Sequence, residues 1–392
     1  MLKILFLSFY YEPDLSAGSF RSTALVNHLS RHSVDLDVVT TEPNRYSSFK
    51  PSAPSFSHEK NIKIFRIRIP NKQNGMVAQI ITFSSYYRSA LKLVKKNEYD
   101  MVFATSSKLF TAFLGARIAR KKRLPLYLDI RDIFLDTVCD ILPSKFIWPV
   151  SKVLSLFERY TFKSANHINL VSKGFAPYFK KSYPNLSLSF YTNGIDKEFL
   201  NSPLVSHSTP RKNTIVNVVY AGNIGEGQGL ELILPELAKM LNGQAKFRII
   251  GDGSKRKKLE SVLRKFSLNN VEVVDPVARE KIITEYINSD ILFLHLNNHD
   301  AFKKVLPSKL FEYAATGKPI WAGLNGYSAD FAISEISNCE IFMPGDVIDA
   351  IKKFSSISIK VEQRFNFKNK FSRERIMREM ALNVISVAKR ET

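Results

Sequence analysis

The chain has 392 residues, 45% of them hydrophobic, which is material for two or three packed domains rather than one. Its only two cysteines, Cys139 and Cys339, lie far apart, which excludes a disulfide framework or a cysteine zinc site and fits a reducing compartment. A formal net charge of +21 suits polyanionic partners such as nucleic acid, anionic lipid or phosphorylated small molecules, and equally suits a surface that is basic only for solubility.

The N-terminal stretch MLKILFLSFYYEPD is apolar only briefly and then acidic, unlike a signal peptide, and no apolar run is long enough to span a bilayer. A soluble or peripheral protein is expected. KILFLSFYY predicts a first strand, followed by a helix over SAGSFRSTALVNHLSRH. VDLDVVTT, MVFATSS, LYLDIRD, HINLVS and LSFYTNG predict further strands. These are near-continuous apolar runs, as strands covered on both faces should be, and helical stretches separate them. In VDLDVV, alternation places Asp35 and Asp37 on the strand surface. MVAQIITFSSYYRSALKLVKK mixes apolar, aromatic and basic residues at near-helical spacing, as an interfacial helix or a core helix would.

The segment around Ser202–Asn213 is polar, holds two prolines and reads as a linker. The alternation then restarts with IVNVVYAGN, the glycine-rich turn and helix GEGQGLELILPELAKM, and the strands KFRIIGDG, VEVVDPV, DILFLHL, PIWAG and CEIFMP. RERIMREMALNVISVAK predicts a last helix. Strand–helix alternation implies parallel α/β sheets, and its restart implies two Rossmann-like halves. The expected division is 1–201 and 202–371, with the final helix 372–392 returning to the first half.

In open parallel sheets ligands bind beyond the carboxyl ends of the strands. Gly18 stands there, at a helix start where exposed amides favour an anion, with Arg21 able to add charge; a plain turn glycine is the alternative. AGNIGEGQG, with Gly222, Gly225, Gly227 and Gly229, suits a phosphate cradle or a hinge loop. Gly251 and Gly253 form a third turn over which a base or ribose is expected to lie. The run Lys255–Lys258 after it reads as a solvated helix face. In VLPSKLFEYAATGKP, Pro307 and Ser308 mark a helix start and Gly317 its stop. Glu312 has two carboxylate oxygens suited to vicinal ribose hydroxyls, and Lys309 lies one turn earlier; an ordinary surface Glu–Lys pair is the alternative. His295 and His299 show no convincing partner ligands, and no metal is expected.

VLPSKLFEYAATGKPI resembles the nucleotide-binding signature of family-4 glycosyltransferases of the GT-B fold, in particular bacterial enzymes of O-antigen and capsule synthesis of the fucosamine transferase-like kind. YYEPDLSAGSFR, LDIRDIFLD, YTNGIDKEFL, YAGNIGEGQGLELIL and FRIIGDGSKRKKLE resemble further segments of that family in its usual order. The resemblance implies two Rossmann-like domains facing across a cleft, the second binding a nucleotide-sugar, UDP-linked above all, through Leu306, Pro307, Ser308, Lys309 and Glu312. It makes Glu312 the ribose-binding acid, the second of two paired glutamates, and puts Lys304 where the first would stand. Asn223 and Gln228 occupy places where relatives often carry diphosphate-binding cations, so Lys309 is expected as the main diphosphate cation and Arg21 as the second. Asp132 is favoured as a contact to the donor sugar or acceptor hydroxyl. The implied reaction is transfer with retention, without metal or other cofactor, to a polyprenyl-diphosphate-linked saccharide at the anionic inner face of the cell membrane. A nucleotide-sugar 2-epimerase of the same fold is the enzymatic alternative. A basic nucleic-acid-binding protein is the other, and the chain carries none of the aromatic–basic motifs it would need.

Overall fold

The computed structural model describes residues 1–44, 51–70, 76–106, 109–133, 144–201 and 215–391. The expected linker at 202–213 lies outside them. The chain divides into two compact units, Met1–Asn193 with Glu374–Thr392, and Gly194–Arg373.

Unit one is built on eight strands: β1 (Leu2–Leu7), β2 (Val34–Thr41), β3 (Phe56–Glu59), β4 (Ile62–Ile67), β5 (Met101–Thr105), β6 (Leu126–Ile130), β7 (His167–Leu170) and β8 (Ser187–Ser189). Its helices are α1 (Ala17–Leu29), α2 (Met76–Val94), α3 (Leu109–Lys122), α4 (Ser144–Lys163) and α5 (Ala176–Ser182). The sheet order is β3-β4-β2-β1-β5-β6-β7-β8, parallel except for the β3–β4 pair. β1, β5 and β6 are almost wholly buried, as apolar runs between two helical layers should be. Residues 56–67 carry no continuous apolar run, and there the structure forms an edge hairpin whose β3 is mostly exposed.

One surface expectation is corrected here. Asp37 is buried, accepting a hydrogen bond from the Tyr99 hydroxyl at 2.9 Å with Lys3 3.7 Å away. A strand inside a parallel sheet is covered on both faces, so alternation does not export its polar residues.

Unit two opens with the short helix α6 (Lys197–Leu200). Its strands are β9 (Val216–Asn223), β10 (Ala245–Asp252), β11 (Val271–Val274), β12 (Ile291–His295), β13 (Ile320–Gly323) and β14 (Cys339–Phe342). Its helices continue as α7 (Leu230–Met240), α8 (Arg256–Lys265), α9 (Arg279–Asn288), α10 (Lys309–Thr316), α11 (Tyr327–Glu335), α12 (Val347–Ser356) and α13 (Phe365–Lys370). The order is β11-β10-β9-β12-β13-β14, all parallel. Residues 194–200, expected with the first half, pack in this unit because Ile195 bridges Ser372 and α6 lies on α10. The last helix, α14 (Arg373–Glu391), runs from Glu374 onward in unit one, with the Asn383 amide oxygen accepting from the Tyr127 hydroxyl at 2.9 Å.

Candidate functional site

Strand order in unit two reverses at β9, whose neighbours are β10 and β12, so the loops leaving β9 and β12 flank a topological switch point. The glycine turn 224–229 follows β9, and α10 ends the connection from β12. The turn is braced from several directions. The Tyr220 hydroxyl donates to the Asn223 carbonyl at 2.6 Å, and the Asn223 amide donates to Gln228 Oε1 at 2.8 Å. The Asn297 backbone amide donates to the Gly227 carbonyl at 2.9 Å, while its side chain donates to the carbonyl of Glu226.

His295 completes the brace. Its Nε2 accepts from the Gly345 amide at 3.0 Å, so Nδ1 carries the proton and donates to the Gln228 carbonyl at 2.7 Å. Burial drives its pKa down to about 4, the Gln228 carbonyl opposing that only in part. Sequence reasoning weighed His295 for metal alone; its position at the last residue of a buried strand was the available signal for this structural role.

Asn223 and Gln228 thus close the turn on each other, with Gly225 packed against the Asn223 amide. Gly251 lies against the Gly222 carbonyl and Gly253 against the Ile224 carbonyl, so a Cβ at either would strike backbone. These two glycines let the third turn pack onto the second.

Lys309 and Glu312 meet at the start of α10. Gly317 ends this helix in the left-handed region, while Ser308 occupies the cap position without a side-chain cap bond. Glu312 is 5% exposed, so the plain surface pair does not describe it. Lys309 Nζ donates to Glu312 Oε2 at 2.8 Å and to the Tyr286 hydroxyl at 3.3 Å. The Lys309 side chain also passes beside Gly222, bringing the α10 start to the β9 turn. Burial alone would raise the Glu312 carboxyl, but the charges of Lys309 and Arg279, the Lys309 hydrogen bond and Arg373 outweigh it and hold its pKa below the ordinary value. Leu306 is buried, and Pro307, Ser308 and Lys304 are half-buried in the approach to the helix. Phe302, two residues before Lys304, packs its ring on Gly227. Among the described residues no group of three or more His, Cys, Asp or Glu is arranged to hold a metal ion.

In unit one, Gly18 lies on α1 with the Arg131 guanidinium against it. Asp132 is exposed just beyond β6. The expectation for Arg21 is corrected: it is 1% exposed and forks onto Asp129 at 2.8 and 2.9 Å. It also donates to the carbonyls of Thr192 and Tyr191, each at 2.7 Å. A guanidinium so enclosed and so fully engaged has no face to offer a phosphate.

Residues 206–371 match the family model of glycosyl transferases group 1. The putative colanic acid biosynthesis glycosyl transferase WcaI of Escherichia coli (strain K12) is 22% identical over 343 residues, covering 81% of this chain and 82% of the relative. Sucrose-phosphate synthase from Thermosynechococcus elongatus superposes with a TM-score of 0.77 over 99% of both chains at 13% identity. Anabaena HepE in complex with UDP and glucose gives a TM-score of 0.68 at 14% identity, over 98% of this chain and 100% of that one. The chain carries a glycosyl transferases group 1 domain and is a glycosyltransferase with the two-domain α/β fold of the GT-B type.

Proposed function

We propose that the protein transfers a sugar from a UDP-sugar, with retention and without metal, to a polyprenyl-diphosphate-linked saccharide in bacterial surface polysaccharide synthesis. The observation that carries this is the buried, ionised Glu312 paired with Lys309 beside Gly222. A desolvated carboxylate at the carboxyl end of a sheet recognises paired hydroxyls strongly, because its hydrogen bonds are charge-assisted. Glu312 takes the ribose hydroxyls. Lys309 offsets the diphosphate, and its charge matters most as the leaving group gathers charge. The backbone amides of the glycine turn and of the α10 start supply the rest.

HepE, the structure that holds UDP and glucose, shares the fold, which supports a UDP donor. WcaI, named for colanic acid biosynthesis, supports a surface-polysaccharide acceptor. Asp132 is assigned to the donor sugar or acceptor hydroxyl. Glu312→Ala should weaken UDP binding, measured by calorimetry on the folded variant, by roughly 2–4 kcal/mol. Unchanged affinity would refute the assignment. Turnover in EDTA equal to that in added magnesium is expected, and an EDTA-dead enzyme would refute metal independence.

A further inference from the structure

Unit one has a switch point of its own. β1 pairs in parallel with β2 on one side and β5 on the other, so the loops leaving β1 and β5 flank a crevice at their carboxyl ends, and β6 ends next to β5. Arg131 is the first residue after β6. Its backbone amide donates to the Ser106 hydroxyl, just past β5, at 2.8 Å. Its guanidinium reaches back over the start of α1. A Cβ on Gly18 would overlap Arg131 Nη1 and stand 3.4 Å from Cζ, so glycine at this position is what admits the side chain.

That contact runs against the helix dipole. The start of the 13-residue α1 carries partial positive charge, and no acidic residue stands in its first turn. The Ser16 hydroxyl accepts from the Ser19 amide at 3.1 Å, which leaves the Ala17 and Gly18 amides without a partner in the helix. A guanidinium laid there adds positive charge to positive charge, and an anion between the two answers both. Of the acids in this corner, Asp129 is engaged by Arg21 and Asn169, and Asp14 accepts from the Asn44 amide at 3.0 Å on the β2 side. Asp132 is exposed, so its charge is largely screened by water.

The hydroxyl of Ser19 points the same way. Ser19 is fully buried, and its Oγ has no hydrogen-bond partner among the described residues. It precedes Ser22 by one turn on the same helix face, and the Ser22 hydroxyl meets that of Ser8, just past β1, at 3.1 Å. The Ser19 hydroxyl is thereby directed over the carboxyl end of β1, beside the two open amides.

We propose that unit one binds a diphosphate at this corner, with Arg131 as its cation and the Ala17 and Gly18 amides and the Ser19 hydroxyl as further donors. The ligand class rests on the function proposed above, in which the sugar donor and the lipid-linked acceptor each carry a diphosphate. A planar guanidinium suits phosphate oxygens two at a time. Asp132, the next residue, is assigned to a sugar or acceptor hydroxyl, which puts hydroxyl and phosphate recognition side by side on one loop. Arg131 takes the part that the sequence suggested for Arg21.

The test is calorimetry with UDP, for the donor source, and geranyl diphosphate, for the acceptor source, on wild type, Arg131→Gln and Gly18→Ala, with uridine as the control. Arg131→Gln should weaken at least one of the two diphosphates by about tenfold or more and leave uridine unchanged, and the ligand that is lost identifies the source. Gly18→Ala adds a methyl that a helix accepts and that displaces the guanidinium. It should weaken the same ligand, and the double variant should lose little more than Arg131→Gln alone. UDP affinity within about twofold of wild type in Arg131→Gln, with no loss for geranyl diphosphate whether or not wild type binds it, would overturn the proposal. So would a loss for uridine as large as that for UDP, which marks a pocket disturbed as a whole. Should Arg131→Gln not fold, Gly18→Ala decides on the same readings. Failure of the Glu312 assignment has its own signature, full UDP affinity in Glu312→Ala, and leaves the comparison of Arg131→Gln with wild type intact.

Discussion

Arg21 and Lys309 show how two basic side chains of similar appearance in sequence acquire different work. Arg21 neutralises Asp129 in the interior and ties the backbone at residues 191 and 192 to α1; its Nη2 also lies 3.3 Å from Met380 of α14. Arg21→Ala leaves Asp129 buried with the Asn169 amide as a neutral partner, and should cost about 3–5 kcal/mol of stability in urea unfolding. Lys309 is partly exposed at 27% and stands at the glycine turn. Lys309→Ala should lower turnover by about 10²-fold and weaken UDP more than uridine. Equal losses for the two ligands would assign Lys309 to pocket structure instead.

His295 gives a pH prediction. Its folded pKa, about 4, is depressed below the ordinary 6.5 by burial. Between those values the unfolded chain binds a proton that the folded chain does not, so stability is present above about pH 6.5 and declines as pH falls toward 4. The full contribution is about 3 kcal/mol. His167, buried in unit one and also depressed to about 4, adds a loss of the same sign. Urea midpoints measured from pH 7 to 4.5 should show a slope that is one proton shallower in His295→Gln. An unchanged slope would mean that His295 is charged in the folded protein.

At the scale of elements, the glycine turn is braced by hydrogen bonds from Tyr220, His295 and Asn297, and its tightest point is Gly229. Gly229 has φ +56°, and a Cβ there would lie 1.9 Å from Asn297 Oδ1. Gly229→Ala should cost about 1–3 kcal/mol and displace the turn. Adding Asn297→Ala relieves the clash, so the double variant should lose less than the two single losses added together. Strict additivity in denaturant melts would show that the strain is in the backbone alone. α10 is secured at its other end by Arg364, which is 5% exposed and donates to the carbonyls of Ala314, Lys318, Ser337 and Asn338. Ala314 lies in α10 and the other three carbonyls lie in the segments just before β13 and β14, so one guanidinium ties the helix end to its neighbouring loops.

At the scale of the molecule, the charge of +21 bears on the membrane. No helix among the described residues is long and apolar enough to cross a bilayer. α2 buries Tyr86, Ala90 and Val94 in the core of unit one and leaves Ile81 exposed, with Lys92 and, beyond its end, Lys95 and Lys96 also exposed. α4 exposes Val153 and Leu156. α2 and α4 are linked through α3 by the ring contacts of Phe83, Phe110 and Phe157. We propose that this side of unit one docks on anionic lipid, its lysines supplying attraction and its apolar side chains shallow insertion. Flotation should recover the protein with phosphatidylglycerol vesicles at low salt and less at physiological salt. Equal recovery with neutral vesicles would exclude electrostatic docking.

What was legible in the sequence was local. β2 runs as VDLDVVTT marked it, because an apolar run buried between two helical layers carries its own signal whatever its neighbours are. The α10 start and its glycine stop were readable for the same reason, since caps are contacts within a few residues. The hairpin at 56–67 was not, because an exposed edge lacks that signal. The fate of each buried charge was not legible either. Arg21 reads as a phosphate cation until Asp129, 108 residues away, takes it; Asp37 reads as surface until Tyr99 covers it. Periodicity is a property of a segment and the sequence by itself determined it, whereas the work of a charge depends on which opposite charge and how much water surround it, and only the tertiary structure decides those.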